Sequence, residues 1–320
     1  MARPPRIVVI GGVTSTSGPA IVTSDDAATW TAQTPATSPV SAALESVTHG
    51  DNKFIATNTR GDSSNNTQHS PDAITWTLYN GGTTKIRTAY GKGEFVSVWG
   101  NQSFTSTDGL SWTTHTSGGL PSSTWSDICY GNGLFVAVGS SSFSSRTVAS
   151  SPDGITWTTY ATTASWATVT YGNGLFVATL GGASGQEGDA KTDHTITSTD
   201  GVNWTARNSY GGGWSKSAFG NGLFVAVGAG FDSGETPTSF SIRMTSTDGA
   251  SWSYARKTGI RALDLAFGAG VFIAVDDSGN IHTSANGTSW STTNFSDRFW
   301  RGVDVGPRFG GIYVDGAVHF

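Results

Sequence analysis

The chain reads as an all-β protein: a seven-bladed β-propeller of four-stranded antiparallel blades, forming one domain over residues 1–320. Three observations predict this. A short segment ending in tryptophan recurs seven times at a blade-sized period, a Gly-Asn-Gly turn between apolar runs falls between successive copies, and the composition favours strands and tight turns.

Composition bounds the rest. Of 320 residues only 13% are charged, 43 are glycine and 12 are tryptophan, while Ser and Thr fill most polar positions. Helix formers are scarce, with four glutamates and six lysines. A net charge of −5 gives no electrostatic footprint for wrapping a polyphosphate, which argues against nucleic acid as a main partner. The single cysteine, Cys129, allows no internal disulfide and reads as a small apolar residue on a buried strand. No stretch approaches a membrane span, and Ile7-Val8-Val9-Ile10 is too short for a signal-peptide core. The expectation is a soluble chain with no membrane insertion, no cofactor and no metal. Its place is a virion or the extracellular space without a cleaved signal, or otherwise the cytoplasm.

The seven copies run Ser24–Trp30, Ser70–Trp76, Ser106–Trp112, Ser151–Trp157, Ser198–Trp204, Ser246–Trp252 and Ser284–Trp290, with the consensus Ser-x-Asp-Gly-x-Thr-Trp. Their tryptophans lie 46, 36, 45, 47, 48 and 38 residues apart, within the range of propeller blades. Each box explains itself locally. The acid (Asp26, Asp72, Asp108, Asp153, Asp200, Asp248, and Asn286 in the last copy) accepts backbone N–H groups across the turn, and the Ser hydroxyl does likewise. Glycine supplies positive φ. The indole (Trp30, Trp76, Trp112, Trp157, Trp204, Trp252, Trp290) buries apolar surface between blades, about 4–6 kcal/mol at full burial.

Between the boxes lies Tyr130-Gly131-Asn132-Gly133-Leu134-Phe135-Val136-Ala137-Val138-Gly139, repeated from Tyr171 and Phe219 and more loosely from His49, Tyr90, Phe267 and Val305. Asn-Gly between apolar runs predicts a type I′ hairpin. Leu-Phe-Val-Ala-Val does not alternate, so that strand is buried on both faces, as where blades pack on both sides. Each unit is then strand a before the turn, b after it, c entering the box and d leaving the tryptophan. The chain begins at a b strand (Arg6–Gly11) and supplies a final a strand (Arg301–Gly306), whose pairing with the N-terminus closes a seven-bladed ring. A surplus hairpin, residues 311–320, is left outside; an incomplete eighth blade is the alternative.

These boxes resemble the Asp-box, the bacterial neuraminidase repeat of sialidases and of many non-enzymatic propellers. They depart from it by lacking one residue between Asp and Gly, as in Ser151-Pro152-Asp153-Gly154. Together with the Gly-Asn-Gly motif, this short form is similar to propeller repeats of phage tail proteins and of uncharacterised bacterial proteins. The resemblance covers almost the whole chain and implies architecture, since one fold hosts many functions.

Strands a and c run parallel, which places the a–b turns and the boxes together on one short, near-invariant face. The opposite face carries the long connections Thr57–Gln68, Ser140–Arg146, Thr179–His194 and Ala229–Ser241, and function concentrates on such loops. Six residues before the turn glycine stand Trp125, Trp166, Trp214 and Trp300, expected at the channel mouth on that face or else wedged between blades. Two positions later come Asp127, Lys216, Asp264 and Arg87; Arg261 and Arg301 lie nearby. Aromatic faces beside hydrogen-bonding groups suit sugars.

The expected function is therefore a non-enzymatic binding module, a tail- or fibre-associated virion protein. It would recognise host-surface glycan or dock to another virion protein, and display in many copies on a symmetric assembly would multiply its affinity. A sialidase-like enzyme would need three converging arginines, for which Arg87, Arg261 and Arg301 are candidates, plus a Tyr–Glu nucleophile pair. Glu45 is the only glutamate near an inner strand, and the Arg-Ile-Pro segment typical of sialidases is absent. Another glycosidase would need two carboxylates, for which Asp127 and Asp264 are candidates. A purely structural assembly scaffold is the remaining alternative. Arg60-Gly61-Asp62, the pair Asp189 and Asp193, and the histidines suggest no site.

Overall fold

A computed structural model describes residues 5–13, 19–36, 44–57, 67–79, 87–140, 146–162, 164–181, 193–231, 239–258, 262–295, 298–306, 313–314 and 317–318. Their regular structure is all strand: seven four-stranded antiparallel sheets and one two-stranded ladder, Tyr313–Val314 with Ala317–Val318. The seven sheets form a seven-bladed β-propeller.

Blade 4 shows the common plan, with strand a (Thr124–Gly131), b (Leu134–Ser140), c (Arg146–Ser151) and d (Thr158–Thr162) paired in that order. The other a strands are Ser46–Gly50 in blade 2, Thr88–Gly91 in blade 3, Trp166–Gly172 in blade 5, Gly213–Gly220 in blade 6 and Ala262–Gly268 in blade 7. Blade 1 joins both ends of the chain. Arg6–Val13, Pro19–Ser24 and Thr31–Gln33 are its b, c and d strands, while Arg298–Gly306 lies inside them, with Ile7 opposite Val305 and Val9 opposite Val303. The a strands contact one another in sequence around a closed circle. No blade is left with an open inner edge.

The a–b turns have the geometry that Asn-Gly requests. Both central residues take positive φ: +47° and +76° at Asn132-Gly133, +50° and +74° at Asn173-Gly174. Strand b is the hydrophobic spine, as its unbroken apolar run requires. Phe54, Phe95, Phe135, Phe176, Phe224 and Phe272 are fully buried, each against the ring that ends its own a strand at 4.6–4.8 Å.

The boxes fold as their chemistry dictates. In blade 4, Asp153 Oδ1 accepts N–H groups from Ile155 (2.9 Å) and Thr156 (2.8 Å), while the Ser151 hydroxyl donates to the same oxygen (2.9 Å). Gly154 takes φ +70°, and the Trp157 indole donates to its carbonyl (3.1 Å) and belongs to the buried apolar cluster that includes Val96 and Val98 of blade 3. Ala27 and Ala73 hold the same left-handed position in blades 1 and 2, at φ +59° and +61°. Full burial is reached by Trp76 and Trp157; the other five indoles are half-buried and gain correspondingly less.

Side chains from the a–b region of one blade reach the box of the next. Asn132 donates to Thr199 O (3.2 Å), Lys92 to Pro152 O (3.0 Å), Lys53 to Asp108 O (3.3 Å), Asn221 to Ala285 O (3.1 Å) and Arg6 to Asp72 O (3.1 Å). These bonds put turns and boxes on one face and leave the b–c and d–a connections on the other. Residues 58–66, 141–145, 182–192 and 232–238, the bodies of the four long connections, lie outside the described residues, as do Arg60-Gly61-Asp62 and Asp189.

Candidate functional site

The seven a strands enclose a channel of about 1050 Å³. Its box-side end is built from the residue before each turn glycine, namely His49, Tyr90, Tyr130, Tyr171, Phe219, Phe267 and Val305. Each lies flat on the turn glycine of the preceding blade. A Cβ at Gly131 would sit 2.1 Å from Tyr171, one at Gly172 2.0 Å from Phe219, and one at Gly306 2.1 Å from His49. The Tyr-Gly and Phe-Gly pairs in the repeat are thus the contacts that join inner strands around the channel.

Nearer the opposite mouth, a β-bulge decides what faces the channel. The ladder shifts between Trp125 and Asp127, Trp166 and Thr168, Trp214 and Lys216, and Ala262 and Asp264, so one extra residue stands in each a strand; blade 1 has the same irregularity opposite Trp300 and Gly302. Simple alternation would put Trp125 and Asp127 on one face. The bulge separates them.

Hence the four tryptophans do not line the channel mouth. Trp125, Trp166, Trp214 and Trp300 are at most 6% exposed and are held in the seams between blades. Each indole N–H donates to the end of the preceding blade or its linker: Gly100 O (2.9 Å), Thr162 Oγ1 (2.9 Å), Tyr210 O (3.1 Å) and Gly279 O (3.2 Å). They are wedges, and no ligand can stack on them. Arg301 is exposed at the mouth, 3.9 Å from Glu45, and Arg261 lies outside the described residues.

The charged residues do come together on the channel wall. Asp127 accepts from Ile128 N–H (3.0 Å) in its own strand and from Val169 N–H (3.0 Å) in blade 5, and takes the Lys216 ammonium of blade 6 at 2.5 Å. Asp264 accepts from Leu265 and, across the seam, from Val303 of blade 1, both at 2.9 Å. Asp304, which alternation gave no reason to single out, accepts from Val305 (2.8 Å) and from His49 N–H of blade 2 (2.6 Å). Adjacent a strands share no backbone ladder, so these carboxylates, with Thr170 on Ser217 O and Thr48 on Thr88 O, bond the blades in its place.

Burial, and then the charge of Asp264, push the Asp304 carboxyl up to about 7, against the N–H bonds from His49 and Val305 and the charge of Lys216. Burial likewise raises Asp264. On Lys216, burial is outweighed by Asp127 and Asp264, so its ammonium is held more firmly, with Arg87 opposing. The buried His49 imidazole is pushed down to about 4 by burial, against the charge of Asp51.

Between about 7 and the unfolded value of 3.8, folded Asp304 keeps a proton that the unfolded chain has lost, so this group adds stability as pH falls. Between the unfolded value of 6.5 and about 4, His49 does the reverse, because only the unfolded chain takes the proton. The two oppose each other in the wild type. In Asp304→Asn the histidine is uncompensated, so urea unfolding from pH 7 to 5 should show stability falling more steeply than in the wild type. Equal slopes would refute the assignment. Below the carboxylate range both proteins should weaken, because backbone N–H groups hold the Asp26, Asp200 and Asp248 carboxyls well below their usual values.

Two exposed aromatics, Trp99 and Phe299, were not picked out by the sequence pattern. Trp99 is 53% exposed, beside the b–c turn of blade 3. Val98 N–H donates to Arg87 O (3.3 Å), so the strand end that carries Trp99 runs beside the Arg87 segment, and Arg87 itself lines the channel. The signal for Trp99 was Trp99-Gly100-Asn101, a bulky residue at a strand end where blade 4 has Gly139. Among the described residues no cluster of three or more His, Cys, Asp or Glu is placed to hold a metal ion.

No protein-family profile and no curated protein matches the chain. Solved structures do. YCF48 bound to D1 peptide superposes with a TM-score of 0.54 at 13% identity, over 82% of this chain and 92% of that one. A 6-phosphogluconolactonase-like protein from Bacteroides fragilis gives 0.61 at 8% identity, over 94% and 98%. Apo AztD from Citrobacter koseri gives 0.51 at 10% identity, over 92% and 83%. At these identities the likeness concerns the propeller fold.

Proposed function

We propose that this chain is a non-enzymatic binding module whose ligand enters the channel mouth on the face of the long connections, and that the ligand is a glycan of a host surface. The observation that carries the reading is Trp99, a half-exposed indole beside the Arg87 segment on a rigid blade, because sugar rings stack on such faces while polar groups fix their hydroxyls. Asp127 and Asp264, the pair an acid–base hydrolase would use, are already committed to backbone N–H groups. The likeness of the short boxes to phage tail repeats supports a virion setting, in which many copies multiply weak contacts.

Probing a glycan array with the purified chain and with Trp99→Ala tests this. The indole should contribute about 1–2 kcal/mol, so binding weakens about five- to thirty-fold while the melting temperature stays put. Silence on the array, or an unaffected variant, counts against the site. Turnover of fluorogenic glycosides would overturn the non-enzymatic reading.

Docking to another virion protein has an observation of its own on the opposite face. Ile74, Ile155 and Val202, at the same box position in blades 2, 4 and 5, are exposed aliphatics, where blades 1, 6 and 7 carry Ala28, Ala250 and Thr288. YCF48, with its bound peptide, is a propeller that takes a protein segment. Retention of binding to purified virions by Trp99→Ala, together with a silent array, would favour this second reading.

A further inference from the structure

The charges on the channel wall are unequally satisfied. Asp127, Asp264 and Asp304 each hold the fold together, using both carboxylate oxygens on backbone N–H groups, and Asp127 also holds Lys216. The Arg87 side chain has no such role. Its Nε is buried without an acceptor, and no ion pair reaches its guanidinium among the described residues. A guanidinium presents five N–H donors, and burying the Nε–H of this half-buried side chain without an acceptor is costly. Such a group is tolerated on a channel wall when something else supplies the oxygens.

Lys216 stands across the channel, in blade 6 against blade 3. One of its three N–H groups reaches Asp127, and its side chain is 31% exposed, which leaves donors open to the lumen. The two cations feel one another, since Arg87 acts against protonation of Lys216. An anionic oxygen group between them would accept from the fork on one side and the ammonium on the other.

We propose that Arg87 and Lys216 form an oxyanion subsite in the channel, which takes a carboxylate or phosphate group of the ligand. The subsite rests on the reading that the channel mouth is where ligand binds, and it narrows that ligand to an acid-bearing one. Arg87 is the specificity-determining residue because a planar fork matches two oxygens at once, and Lys216, pinned by Asp127, supplies a point charge. Strand b of blade 3, Glu94–Trp99, fixes the position through Val98 N–H on Arg87 O.

Titration calorimetry of the full chain at low ionic strength tests the subsite, using sodium phosphate in one series and sodium acetate in another, with sodium chloride as the ionic control. One of the two oxyanions should bind saturably at one site, and which one identifies the acid. Arg87→Gln should weaken it at least about tenfold, and Arg87→Lys, which keeps the charge and loses the fork, should fall between. Both variants should keep the wild-type melting temperature, because the Arg87 side chain bonds to nothing that holds the fold; if Arg87→Gln fails to fold, Arg87→Lys alone decides. Saturable oxyanion binding that Arg87→Gln weakens, alongside a silent glycan array, refutes the sugar reading and spares the subsite. No saturable response to either oxyanion, a response equal to chloride, or equal affinity in both Arg87 variants and the wild type overturns it.

Discussion

Gly172→Ala should abolish cooperative folding, or lower stability by more than about 3 kcal/mol, the upper end of what overpacking a core usually costs. A methyl group there would stand 2.0 Å from Cγ of Phe219, far inside contact distance. Turning the ring does not relieve the contact, because Cγ is its pivot, and Phe224 lies against it at 4.6 Å in a blade wedged in a closed circle. The cost is purely steric, since Gly172 is not among the residues of positive φ. Gly174, two residues on, is the opposite case: it takes φ +74° with nothing within 4 Å of a new Cβ, so Gly174→Ala should cost only about 1 kcal/mol. Urea unfolding followed by tryptophan fluorescence and circular dichroism separates the two. Adding Phe219→Ala to Gly172→Ala should recover part of the loss, a coupling that distinguishes this contact from a general intolerance of the strand. Equal costs at Gly172 and Gly174 would refute the account of the inner ring.

The two glycines also mark how far the sequence carried. Fold class, blade count, type I′ turns and box chemistry were legible because each is local: Ser151, Asp153, Gly154 and Trp157 need only one another to explain their spacing. The channel was legible in part. Asp127, Lys216, Asp264 and Arg87 do line it, because all four share one register position on strands whose direction the hairpins fix. The tryptophans went elsewhere because a one-residue bulge, invisible in an alternation pattern, turned them into the seams. Asp304 was passed over because its partner, His49 N–H, is 255 residues away in sequence, and only ring closure brings the two together. The glycine before each Asn-Gly turn was assigned to the turn, whereas its stricter duty is toward the next blade.

Closure itself supplies the second large effect. A chain ending after Asn294 lacks Arg298–Gly306, and it should yield no cooperative unfolding transition. Ile7, Val8, Val9 and Ile10 are wholly buried in the native ring, and the missing strand covers one edge of theirs through pairs from Arg6–Gly306 to Val13–Arg298. Its loss also removes Trp300, fully buried and worth about 5 kcal/mol of burial, along with the Asp304–His49 and Asp264–Val303 bonds to the blades on either side. These losses together rival the roughly 5–15 kcal/mol by which most domains are stable. They also turn a ring, in which every blade has two neighbours, into an open array with two exposed ends, and end repeats without caps fray. A chain ending after Gly306 keeps every one of these contacts, since the ladder of Tyr313–Val314 with Ala317–Val318 pairs only with itself. It should melt within a few degrees of the full chain. Calorimetry on both truncations checks the argument, and a sharp transition in the shorter chain would show that six blades and an unpaired N-terminal sheet suffice without the closing strand.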